Sequence, residues 1–200
     1  MISTGRAARI TGATILCASI LAVMSGGTPA IASPDDELSQ EVSISAPMTI
    51  AYFDHDVAAA HGFEIRIDDS GREYSVPVTE AAKTSAGAAS GEVRTMGTVK
   101  GPCGTSTLLL ARNGPEAVRI GTAFRVYAPT LWHVWNVSLV NSYGGWNENF
   151  DGGPTTGTWD ATHEKYIRSS HGVSAQVTPG SYATLVNGAV CFSGGPTAGS

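Results

Sequence analysis

The sequence predicts a mainly β protein, an antiparallel β-sandwich or barrel of about seven to nine short strands. Three observations carry that expectation. From Thr98 onward, apolar and polar residues alternate with the two-residue period of half-buried strands. Asn113-Gly114, Pro179-Gly180 and Asn187-Gly188 punctuate those runs with tight-turn chemistry. All four Trp and two of the three Cys also lie in this half, which therefore has the means to build a core. The β region is preceded by a signal peptide and by a small α/β or loose N-terminal segment.

Residues 1–32 have the three parts of a secretory signal. Arg6 and Arg9 form a basic start, Ala13 to Met24 an apolar run, and Thr28-Pro29-Ala30-Ile31-Ala32 a small-residue exit that fits cleavage between Ala32 and Ser33. The apolar run is shorter than the roughly 18–20 residues that span a bilayer. Cys17 follows Leu16 in the middle of that run rather than a small residue at its end, which argues against lipid attachment. The expected destination is extracellular, with no permanent membrane anchor. Losing Arg6 and Arg9 lowers the formal charge from −5 by two, to −7, so the mature chain lacks the basic balance that phosphate binding needs, and nucleic acid is not an expected partner.

The remaining charge is uneven. Residues 33–97 hold twelve acids and four bases, whereas residues 98–200 hold five acids and six bases. The acidic segment, 33–97, opens on the polar Ser33-Pro34-Asp35-Asp36-Glu37. Asp56 to His61 then suits a short helix ended at Gly62. A hairpin follows: Phe63-Glu64-Ile65-Arg66-Ile67 alternates, Asp69-Ser70-Gly71 turns, and Tyr74 to Val78 returns. An isolated hairpin is marginal in water, so this piece must dock or stay loose. Residues 81–92, rich in Ala, Ser and Gly, read as a linker, because such small side chains bury too little to offset the entropy of ordering. The whole segment is a candidate pro-region, with a mature species starting near residues 85–100.

The stapled β domain is expected over 98–196, with 197–200 as a tail. Thr107 to Ala111 makes one strand, and Val118, Ile120, Phe124 and Val126 line one face of the next. Leu131 to Val140 is apolar on both parities and reads as one central strand. Asn141 to Pro154 reads as a long loop. Val173–Thr178, Ser181–Val186 and Ala189–Phe192, separated by two turn signals, read as a three-strand meander.

Cys103 stands before the first of these strands and Cys191 on the last. In an oxidising compartment a lone surviving pair is most simply a disulfide. Closing so long a loop contributes about 4–5 kcal/mol in the chain-entropy view. Neither Cys-x-x-Cys spacing nor a nearby His-rich cluster supports a metal or catalytic role. Gly101-Pro102-Cys103-Gly104-Thr105-Ser106, the Trp-rich middle and Val190-Cys191-Phe192-Ser193-Gly194-Gly195-Pro196 resemble a group of small secreted proteins from actinobacteria, over roughly residues 55–196. The resemblance implies secretion and a disulfide, and it carries over no catalytic residue.

Hydrolytic chemistry finds little footing. The chain lacks the G-x-S-x-G elbow, and His163 and His171 around Ser169-Ser170, with Asp160 nearby, read as surface residues of a hairpin. His55 and His61 lie six apart among carboxylates, and His163-Glu164 begins an H-E-x-x-H pattern that Ile167 breaks, so no metal is expected. No cofactor is expected either. The Asn141–Pro154 stretch is richer in chemistry: glycines, Tyr143, Trp146, Phe150 and the oxygens of Glu148 and Asp151. Aromatic faces beside amides and carboxylates suit sugar stacking or peptide contact, while Glu148 and Asp151 are too close in sequence to flank a glycosidic bond readily.

The resulting expectation is a secreted binding module, favoured over an enzyme without excluding one, whose contact surface draws on Trp132, Trp135, Tyr143, Trp146, Glu148, Asp151 and Trp159. Its ligand would be a cell-envelope polysaccharide or another extracellular protein. Two alternatives stand beside it: a small secreted hydrolase with an unlocated active site, and a secreted antibacterial or inhibitory protein restrained by the acidic segment.

Overall fold

A computed structural model describes residues 41–88, 102–168 and 171–200. The expected signal peptide, its expected cleavage site at Ala32–Ser33 and residues 89–92 of the expected linker lie outside the described residues. The protein is mainly β and antiparallel throughout its strand pairings. Its elements run β1 (Val42–Phe53), α1 (His55–Ala60), β2 (Phe63–Ile67), β3 (Glu73–Pro77), α2 (Glu80–Ala88), β4 (Gly104–Arg112), β5 (Ala117–Val126), β6 (Thr130–Val134), β7 (Asn136–Asn141), β8 (Gly144–Asn149), β9 (Thr158–Tyr166), β10 (Ser174–Val177), β11 (Tyr182–Leu185), β12 (Ala189–Ser193) and β13 (Thr197–Gly199).

Seven strands form one sheet in the order β6-β11-β12-β1-β4-β5-β9, and four form a second, β13-β10-β7-β8. The larger sheet curls until its two ends meet. Thr130 and Thr155 exchange backbone hydrogen bonds, as do His133 and Gly152, and the Val126 N–H donates to the Gly157 carbonyl at 2.8 Å. The stretch before β9 thus lies along the free edge of β6, which satisfies backbone groups that an open edge would leave unpaired. Period-2 alternation sends Leu108 and Leu110 of β4, Val118, Ile120 and Phe124 of β5, and Val137 and Leu139 of β7 into one shared core. All seven are buried.

Three boundaries differ from the sequence reading. The acidic segment does not end where the β domain begins, because β1 lies inside the large sheet: its first half pairs with β4 from Val42↔Leu110 to Met48↔Gly104, and its second half with β12 from Met48↔Ser193 to Phe53↔Ala189. Met48, where the two partners change over, is fully buried. Residues 80–88 form α2 rather than opening a linker. Their alanines favour helix, Thr79 Oγ1 accepts the Ala82 N–H at 3.2 Å, Glu80 pairs with Lys83 at 2.7 Å, and Ala82 is small enough to bury beside Ala58 and Phe63. The expected tail contains β13, whose residues 197–199 pair with β10.

Cys103 and Cys191 stand at disulfide spacing, Cα atoms 5.9 Å apart and both side chains buried. The Cys103 N–H donates to the Met48 carbonyl and Cys191 lies opposite Ile50. The staple therefore joins the start of β4 to β12 across the point where β1 changes partner.

Within the β region the expected meander is divided between sheets. β11 and β12 pair, whereas β10 pairs with β7 and β13. The crossing falls at Thr178–Ser181, where both hydroxyls bond the Asn136 carbonyl. The expected single strand Leu131–Val140 likewise divides, at the buried Trp135, into β6 of one sheet and β7 of the other. The short helix and hairpin of the acidic segment form as α1 and β2–β3 and are docked: Ala58, Phe63, Ala82 and Ile65 pack with Val186 beside the β11–β12 turn. Gly188 permits this approach, since at φ +85° a Cβ there would lie 2.6 Å from the Asp54 carbonyl oxygen.

Candidate functional site

The structure distributes the sequence-predicted site residues over three places. The first is an interior aromatic cluster where β6 bends into β7. Trp135 is fully buried; its N–H donates to Asp151 Oδ1 at 2.7 Å, its carbonyl accepts from Phe150 N–H at 2.7 Å, and its indole Nε1–H donates to Thr122 Oγ1 at 2.8 Å. Trp159 reaches it from β9 with a ring centroid separation of 5.9 Å and stacks on Phe124 at 5.3 Å. His133 lies 4.6 Å from the Trp159 ring, and its Nε2 is 3.1 Å from the Phe150 carbonyl oxygen. Gly152 packs directly on this imidazole, where a Cβ would come within 2.5 Å of Cε1. Burial pulls the His133 pKa below its ordinary value, opposed by the Phe150 carbonyl and the charge of Asp151. These rings interlock as core, with every Trp135 polar group satisfied inside the protein.

The second place is the seam between the edge strands β8 and β9. Trp146, Glu148 and Phe150 alternate inward from β8 and its continuation, and Asn147 and Asn149 outward. This stretch is thus a strand paired with β7, not the loop that its glycines suggested; Asn141 Oδ1 accepts the Tyr143 N–H at 2.8 Å and folds Ser142-Tyr143 into a two-residue turn. Glu148 is buried, with Oε2 2.9 Å from His163 Nδ1 and Oε1 2.5 Å from Lys165 Nζ. Asp151 is spent on the Trp135 N–H and the Asn149 side-chain amide. The two carboxylates are therefore committed to separate partners and do not form an acid–base pair. Trp146, opposite Leu139, is half-buried against the core.

The third place is exposed. Tyr143 is 70% exposed at the tip of the β7–β8 turn, apart from the other rings. Trp132 is 39% exposed on the outer face of β6, and here the register assembles a surface that the sequence reading missed. One row across four strands runs Val134–Tyr182–Phe192–Thr49, and the next runs Trp132–Thr184–Val190–Tyr52. Tyr182 and Phe192 stack at 5.3 Å with ring planes 28° apart, and Tyr52 is 54% exposed. Thr184 and Val190 are buried as the floor between Trp132 and Tyr52. No charged side chain occurs in either row. The opposite face of the same strands carries His133, Ala183, Cys191 and Ile50 toward the interior. The available signal was parity: Trp132 and His133 must face opposite ways, but in β11 both parities are apolar enough to be core.

Fold and surface together define a curled, closed antiparallel β protein with an uncharged aromatic strip on its outer face. No family model, curated protein or solved structure matches the chain. Among the described residues no group of His, Cys, Asp and Glu is arranged to hold a metal ion, and no helix is long and apolar enough to cross a membrane.

Proposed function

We propose that this protein is a secreted binding module, related to the small secreted actinobacterial proteins it resembles, that engages material of the cell envelope through the outer aromatic strip. Export is part of the proposal and is supported by the three-part leader at residues 1–32 and by the paired Cys103 and Cys191. The observation that carries the binding role is the strip itself: Trp132 and Tyr52 exposed at either end of a row, with the Tyr182–Phe192 stack beside it. Rings left partly in water after folding forgo part of the about 1.5–3 kcal/mol that full burial of each would contribute, and here four of them share one outer face.

The test follows from the separation of exposed and buried rings. Trp132→Ala should abolish retention on cell-wall material while leaving the melting temperature unchanged, whereas Trp146→Ala, which empties a core contact, should lower the melting temperature. Full retention by a folded Trp132→Ala protein overturns the proposal.

A further inference from the structure

We infer that the outer aromatic strip takes an uncharged, extended, β-linked polysaccharide lying across the strands. The inference rests on the binding role proposed above and adds the chemistry of the ligand. Neighbouring strands are about 4.8 Å apart, so a row from β6 to β1 is about 14 Å long, and two rows one side-chain period apart are separated by about 7 Å. Trp132 and Tyr52 stand at the two ends of one row, and the Tyr182–Phe192 stack flanks its middle. Exposed rings at the two ends of the row, with two half-buried rings stacked on each other beside its middle, suit an extended chain whose sugar rings lay their C–H faces against Trp132 and Tyr52.

Charge and size narrow the occupant. Neither row contains Asp, Glu, Lys or Arg, although the chain as a whole is acidic. An anionic or cationic polymer would gain no ion pair in the strip. With the Thr184 hydroxyl buried, the hydroxyls of Thr49, Tyr52 and Tyr182 and the indole N–H of Trp132 are the polar side-chain groups of the two rows, and they match the hydroxyls of a neutral sugar. The strip covers only on the order of 100–200 Å², far below the roughly 800 Å² per partner of a stable protein interface. A folded protein or a second copy of this chain would find too little area, whereas two or three sugar rings would fill it.

Retention of the full mature chain on insoluble cellulose and chitin, polygalacturonate and starch granules tests this, with Trp132→Ala, Trp132→Phe and Tyr143→Ala compared after thermal melts confirm folding. The expected result is retention on cellulose or chitin that persists in high salt, falls at least tenfold in Trp132→Ala, recovers in part in Trp132→Phe and is unaltered in Tyr143→Ala. Retention confined to polygalacturonate and lost with salt, or confined to starch, overturns the inference and leaves the binding role standing. So does retention on cell-wall material that survives enzymatic removal of its glycan. Absence of retention on every matrix, cell-wall material included, overturns both.

Discussion

The four tryptophans of this sequence meet three environments: Trp135 and Trp159 share the interior cluster, Trp146 packs at the β8 seam and Trp132 lies on the outer face. Trp135 is core because Thr122 offers its indole N–H a buried acceptor, and Trp132 is surface because His133 takes the inward position beside it. His133 brings a titratable group into that core, with a consequence for stability. An unfolded histidine titrates near 6.5, and burial lowers the folded value. As pH falls the unfolded chain therefore takes up a proton first, so stability rises with pH between the folded value and about 6.5 and levels off above it. In His133→Gln that contribution disappears. Denaturant midpoints measured in steps from about pH 5 to pH 7.5 should show a flatter dependence than wild type. An unchanged slope would remove His133 as its source.

At the scale of elements, side chains and backbone divide the task of closing the sheet. The stretch before β9 hydrogen-bonds β6 through its backbone, while β8 and β9 are joined across their edges by Glu148, His163 and Lys165. Because His163 and Lys165 keep contact with solvent, Glu148→Ala should cost about 1–3 kcal/mol, between the values for exposed and fully buried pairs. Urea unfolding measures this, and a loss below about 0.3 kcal/mol would mean that the seam holds without the carboxylate. The β8 strand was legible in principle: Trp146-Asn147-Glu148-Asn149-Phe150 alternates by two. Its flanking glycines and its acid masked it, since an inward Glu is acceptable only when cations stand opposite, and those come from a strand fifteen or more residues away in sequence.

For the molecule as a whole, β1 matters most. Because β4 and β12 each use it as a partner, a secreted form beginning near residues 85–100 would present two unpaired strand edges. A chain starting at residue 98 should therefore be insoluble or unfolded on expression. A single cut between residues 89 and 101 should instead leave both fragments together, unchanged in native size-exclusion chromatography and separated only on a denaturing gel. Release of the first fragment under native conditions would show that β1 is dispensable. The same strand accounts for the docked α1, β2–β3 and α2, which stay with the β domain because the chain enters them directly from the sheet.

Local chemistry determined what local chemistry can. Alternation determined the β class and most strand positions, Asn-Gly and Pro-Gly determined the turns, and the hairpin and short helix of the acidic segment followed from period and capping. The mutual approach of the cysteines was also legible, because Cys103 and Cys191 are the two cysteines that lie in the β region. Tertiary structure alone decided which face of each strand meets water, since a strand that is apolar on both parities gives no preference until its neighbours are in place. It likewise decided that Tyr52, Tyr182 and Phe192, distant in sequence, share one surface with Trp132. Register between strands far apart in the chain depends on the packing of the whole sheet, and that packing put the aromatic strip outside and most of the predicted tryptophan surface inside.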